Sequence, residues 1–94
     1  MIQRHVWVTG RVQGVGFRAA TAREVSSKKG LVRGFVRNLS EGRVEALFAG
    51  DDSDVLELVA WCSKGPSSAA VKALEVCEEP VDSARTRFEL LADQ

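Results

Sequence analysis

The chain has no tyrosine, one histidine, two cysteines and two prolines among its 94 residues. Each scarcity removes a class of function. His5, with Cys62 and Cys77, supplies no ligand set at the spacing of a protein-built transition-metal site, so neither a metal nor another cofactor is expected. Two cysteines without a secretory leader are expected to stay reduced. No apolar run approaches the roughly 20 residues of a membrane span, and no basic segment followed by an apolar stretch opens the chain, which predicts a cytoplasmic location. Four phenylalanines and two tryptophans are a poor supply of stacking platforms for nucleic-acid bases. Net charge is missing as well, with thirteen Lys and Arg against thirteen Asp and Glu, so a general polyanion binder is not expected.

What is present is an ordinary water-facing composition on a chain long enough for one core, which predicts a single domain over residues 1–94. The charge is polarised along the sequence. Residues 1–43 hold nine bases and two acids, and the remainder holds four bases and eleven acids. Such a chain can raise a positive field over a small anion, or its opposite charges can mix once it folds.

RHVWVT, residues 4–9, combines β-branched and aromatic residues and predicts a strand ending at Gly10. FRAATAREVSSKK predicts a helix from residue 17 with Gly30 as its C-cap. LVRGFVRNL and RVEALFAG predict two strands joined by a turn at Ser40, Glu41 and Gly42. DDSDVLELVAWCSKGP predicts the clearest helix: Asp52 or Ser53 caps it, Val55, Leu58, Val59 and Cys62 form an apolar stripe, and Gly65 and Pro66 end it. AVKALEVCE predicts a fourth strand and TRFELL a short fifth on the sheet edge. The fold class is therefore α+β, a ferredoxin-like βαββαβ sandwich with a mixed, mostly antiparallel sheet and two helices on one face. Right-handed crossovers make the first two strands parallel, with the third antiparallel between them. The loop after the first strand and the hairpin after the second then share one end of the sheet.

That loop reads GRVQGVGFR, Gly10 to Arg18. The first turn of a helix has N–H groups without intrahelical partners and a dipole that favours negative charge. Glycines before it let successive N–H groups turn toward one anion. A phosphate cradle in this loop is the resulting expectation, with the Arg18 guanidinium matching phosphate oxygens two at a time. Other readings remain open on these residues. The loop can be a turn that merely joins strand to helix. GVGFRA also fits the loose dinucleotide pattern G-x-G-x-x-A, although 94 residues supply too few parallel strands for that fold. The P-loop pattern is absent.

GRVQGVGFR resembles the signature loop of the acylphosphatase family. GFVRNLSEGRVEALFAG, Gly34 to Gly50, is similar to that family's second signature, with every position filled. Trp61, the Gly65-Pro66 pair, Ala70 and Val71 extend the resemblance over roughly residues 6–76. The chain departs from the family at two points. Asn38 lies about 20 residues after Arg18 rather than about 18, with the extra pair expected in SSKKG at the helix end. The C-terminal FELLADQ lacks the Tyr or Arg that often closes family members.

The resemblance implies a metal-independent hydrolase that cleaves the carboxyl-phosphate anhydride of a small acyl phosphate to a carboxylate and inorganic phosphate, acting as a monomer. Arg18 and the Gln13–Arg18 backbone would hold the phosphoryl group, and Asn38 would hold the attacking water. Residue chemistry agrees: a phosphoryl group in transfer spreads charge over three oxygens that fixed donors stabilise, and a carboxamide accepts from and donates to water without acting as a base. Taken alone, Asn38 reads as a turn residue; the two signatures together favour the water-holding role. His5 is expected to be structural, Cys62 to be packing, Thr9 and Ser40 to be turn or supporting groups, and Glu41 is the one carboxylate in the facing hairpin. The competing readings are a non-catalytic ferredoxin-like module that binds a small phosphorylated ligand, or one that binds RNA. VRGFVRNL opens like an RNA-recognition strand but lacks its later aromatics.

Overall fold

The structure, a computed structural model, describes all residues from Met1 to Gln94. The elements are β1 (Ile2–Arg11), α1 (Phe17–Ser26), β2 (Arg33–Asn38), β3 (Val44–Gly50), α2 (Asp52–Cys62), β4 (Ala70–Glu79) and β5 (Phe88–Leu90). They form one five-stranded sheet in the order β4-β1-β3-β2-β5. β3 lies antiparallel between β1 and β2, as the crossover argument requires, and β5 adds to β2 in parallel.

Period-two alternation sorts the strand residues. Val6 and Val8 of β1, Val36 of β2, and Val44, Ala46 and Phe48 of β3 point to the face covered by the helices, where they meet Phe17 and Val25 of α1 and Val55, Leu58 and Cys62 of α2. Cys62 is wholly buried there, as the helical stripe predicted. The residues between them, including Gln3, His5 and Glu45, face the other side. They are covered in part by the segment that runs from β4 to β5: the Asp82 amide donates to Gln3 Oε1 at 2.8 Å, and the Arg85 guanidinium lies 4.7 Å from the centre of the Phe35 ring.

Several boundaries differ from expectation. β1 continues to Arg11, through a register shift against β4 between Thr9 and Gly10. α1 stops at Ser26 and is closed by Ser27, not Gly30; Lys28, Lys29 and Leu31 amides then bond to Val25, Ser26 and Lys28 carbonyls, so KKG makes turns beyond the helix. Neither Asp52 nor Ser53 caps α2. Asp51 does, its carboxylate accepting from the Ser53 amide at 3.2 Å, because the cap must stand outside the first helical residue to reach an unpaired N–H.

Candidate active site

Between β1 and α1, Val12 and Phe17 are both buried and anchor the two ends of the loop in the core. Phe17 packs on Trp61 of α2 with ring centres 5.4 Å apart. Between these anchors Gly14 and Gly16 take φ of 73° and 78°, the left-handed region that side chains with a Cβ disfavour. Gly16 is the N-cap of α1 and offers no side chain to the first turn, which also has no acidic residue. Consequently the backbone N–H groups of Gln13 through Arg18 donate to no acceptor in the protein. Six successive donors near a helix N-terminus are a strong local attraction for an anion.

Two contacts hold the loop in place. The Gln13 carboxamide donates to the carbonyls of Leu39 at 2.7 Å and Arg43 at 2.9 Å, which ties the loop to the β2–β3 hairpin. The Ser68 hydroxyl donates to the Val15 carbonyl at 2.8 Å. From sequence, Gln13 is expected to contribute its backbone alone; its side-chain role depends on the hairpin carbonyls being adjacent, which local sequence does not encode.

A cavity of about 410 Å³ opens at this end of the sheet, lined by Gln13, Gly14, Gly16, Phe17, Arg18 and Asn38, with Leu90 and Asp93 of the C-terminal segment on its rim. The structure thus brings Arg18 and Asn38 to one cavity from elements about 20 residues apart. Val15 is the one expected cradle residue whose side chain is not on the lining; it packs against the core. The Asn38 carboxamide makes no hydrogen bond within the protein, while the backbone carbonyl of Asn38 accepts from the Gln94 amide at 3.0 Å. The Arg18 guanidinium reaches across to the C-terminal segment, donating to the Leu91 carbonyl at 2.7 Å and lying 3.2 Å from the Asp93 carboxylate. Asp93 was not singled out from sequence. The only available signal was an acid in the unusual FELLADQ end.

The other titratable candidates lie elsewhere. Glu41 forms a two-pronged pair with Arg43, both contacts 2.7 Å, and that hydrogen bonding holds its carboxyl below the usual range. A carboxylate so engaged is a weaker base. His5 lies on the open face of the sheet between two acids, its Nε2 2.6 Å from Glu45 and its Nδ1 2.8 Å from Glu79, and it stacks on Trp7 at 4.0 Å. That is a structural position, as expected.

A family model described as Acylphosphatase matches residues 4–90. The acylphosphatase of Gloeobacter violaceus is 50% identical over 90 residues, covering 96% of this chain and 94% of that protein. The solved structure of acylphosphatase from Bacillus subtilis superposes with a TM-score of 0.88 at 32% identity, covering 97% of this chain and 99% of the other. An acylphosphatase structure from Coxiella burnetii superposes with a TM-score of 0.87, also at 32% identity, over 96% and 92% of the two chains. With both signature stretches meeting at one cavity and the match running almost from end to end, the chain belongs to the acylphosphatase family.

Proposed function

We propose that this protein, acting as a single domain over residues 1–94, is a monomeric, cytoplasmic, metal-independent acylphosphatase that hydrolyses small acyl phosphates to a carboxylate and inorganic phosphate. The observation that carries the reading is the meeting of three groups at one cavity: six unpaired backbone donors, the Arg18 guanidinium and the free Asn38 carboxamide. No helix is long and apolar enough to cross a membrane.

In this mechanism the phosphoryl group rests on the N–H groups of Gln13 to Arg18, and Arg18 binds it through two parallel hydrogen bonds. Its negative charge replaces the weak partner that Arg18 has in Asp93. Asn38 accepts a hydrogen bond from a water molecule and orients it toward phosphorus. The water oxygen forms the new P–O bond as the P–O bond to the acyl group breaks, and the carboxylate leaves with that electron pair. The water proton passes to a phosphoryl oxygen. A carboxylate is a good leaving group, so a strong protein base is not required, which suits a cavity whose nearest hairpin acid, Glu41, is bound to Arg43. The donors act chiefly on the charge developed in transfer, where preorganised hydrogen bonds have most effect.

The test is turnover of benzoyl phosphate in EDTA by the parent, Arg18→Ala and Asn38→Ala proteins, each checked for folding. The parent should hydrolyse the anhydride. Arg18→Ala should lose about 100-fold or more, corresponding to ~3 kcal/mol by analogy with removal of one oxyanion donor. An inactive parent would refute the enzyme reading, and full activity in Arg18→Ala would refute the site.

A further inference from the structure

A second cavity, of about 510 Å³, lies directly beside the first and shares one wall with it, Leu90. Half of its lining is apolar, from Ala22 and Val25 of α1, Val32 before β2, and Phe88 and Leu90 of β5, with the uncharged Ser26 and Thr86 beside them. Its far rim carries two cations, Lys29 and Arg87. Arg18, Ala22, Val25 and Ser26 recur at the three- and four-residue spacing of one helix face, so the face that presents Arg18 to the first cavity presents Ala22 and Ser26 to the second. From Arg18 to Ser26 this face runs about 12 Å at the usual helical rise. Leu90 is 49% exposed and forms the sill between the two cavities. The far end is the KKG turn that follows α1.

We infer that this groove holds the acyl arm of the substrate, and that the protein prefers acyl phosphates with a straight aliphatic arm of about octanoyl length ending in a second anionic group. The inference rests on the acyl phosphate reading given above. Three features select this occupant. The groove adjoins the cavity holding the phosphate donors, with Leu90 lining both, which suits a group covalently attached to that phosphate. Its walls have no charged group until the rim, which suits methylenes. Its distal cations match a terminal carboxylate: Lys29 has no acidic partner, and Arg87, 80% exposed, has only Glu89 at 3.9 Å. A short acyl group such as acetyl would leave the groove to water.

The experiment compares kcat/KM for acetyl phosphate, octanoyl phosphate and the monophosphate of octanedioic acid, using the full chain. Octanoyl phosphate should exceed acetyl phosphate by about tenfold or more, chiefly through KM, because burial of methylenes strengthens binding. The terminal carboxylate should add a further severalfold. Ala22→Trp, which fills the groove, should abolish the chain-length preference while leaving acetyl phosphate turnover unchanged. Ser26→Trp, at an exposed helix position, does the same job if the first variant folds poorly. The carboxylate advantage should disappear in the Lys29→Gln, Arg87→Gln double variant. Equal kcat/KM for acetyl and octanoyl phosphate, or a preference that survives both tryptophan variants, overturns the groove assignment. A terminal carboxylate without benefit overturns the assignment of the rim. Binding of octyl phosphate against ethyl phosphate, measured by calorimetry, separates the two proposals. If none of these acyl phosphates is hydrolysed the enzyme reading fails, yet a tenfold tighter octyl phosphate that is lost in Ala22→Trp still upholds the groove, and equal affinities overturn it.

Discussion

Arg18 is already in contact with an anion. Its guanidinium is 3.2 Å from the Asp93 carboxylate and bonded to the Leu91 carbonyl, with Asp93 64% and Arg18 30% exposed at the side chain. Exposed pairs of this kind are worth only about 0–1 kcal/mol. Under the proposed function, such a contact pre-orients the guanidinium and yields to phosphate. Replacement of Asp93 by Asn should tighten inorganic phosphate binding up to about fivefold, the equivalent of that range, with the effect shrinking as salt is raised. Competitive inhibition by phosphate measures it directly; unchanged or weaker inhibition would mean that Asp93 acts by holding Arg18 rather than by competing. Arg18 and Asn38 could both be picked from the sequence because their signature stretches are contiguous. Asp93 could not, since nothing within a few residues of it refers to position 18.

At the scale of elements, the site depends on how one loop is fastened to one hairpin. Gln13 spans the gap, donating to the Leu39 and Arg43 carbonyls, and the hairpin closes on itself through the Leu39 and Gly42 amides. Cradle and Asn38 are thus joined by a single side chain. Gln13→Ala should cost about 1–2 kcal/mol, the usual range for lost partly buried hydrogen bonds, read as a lower denaturant midpoint. It should also lower kcat, because a small error in positioning the water relative to phosphorus is heavily penalised. A variant that loses stability but keeps kcat would show that the loop holds its own shape. The helices and strands themselves were legible in sequence, through turn residues, β-rich runs and the α2 stripe. Their ends were less so: Asp51 rather than Asp52 caps α2, since neighbouring acids satisfy the same preference and only the geometry of the first turn chooses between them.

Across the whole molecule, folding partly offsets the charge asymmetry of the chain. Arg4 meets Glu78, Lys28 meets Glu57, and Arg37 meets Glu45, so bases of the first half find acids of the second by strand pairing and helix packing. Mixing, one of the two outcomes that the sequence allowed, prevails at these pairs, and Arg18 has the exposed Asp93 beside it. The core carries its own titration. Burial pushes the Cys62 thiol up from 9.0 to about 12, so the folded state holds the neutral thiol while the unfolded chain releases its proton sooner. The contribution of this group to stability is complete below pH 9.0 and is lost as pH rises toward about 12. Between pH 9 and 10 the parent should lose about 1 kcal/mol relative to Cys62→Ala, a slope bounded by ~1.4 kcal/mol per pH unit. Denaturant titrations of both proteins at each pH measure the difference, and parallel curves would exclude the effect.

By itself the sequence determined the kinds of element, their order, the glycine loop before α1 and the choice of Arg18 and Asn38 as candidate site residues, because helix and strand periodicity, turn chemistry and signature stretches are all written within a few residues of each other. Only the tertiary structure decided what stands around those residues. The Gln13 tie across to the hairpin, Asp93 against Arg18, and the apolar groove ending at Lys29 and Arg87 each join segments distant in sequence. They exist because β3 inserts between β1 and β2 and β5 adds beside β2, which brings the loop, the hairpin and the C-terminal segment to one end of the sheet. Pairings of that kind depend on the path of the backbone, and no local pattern of residues specifies them.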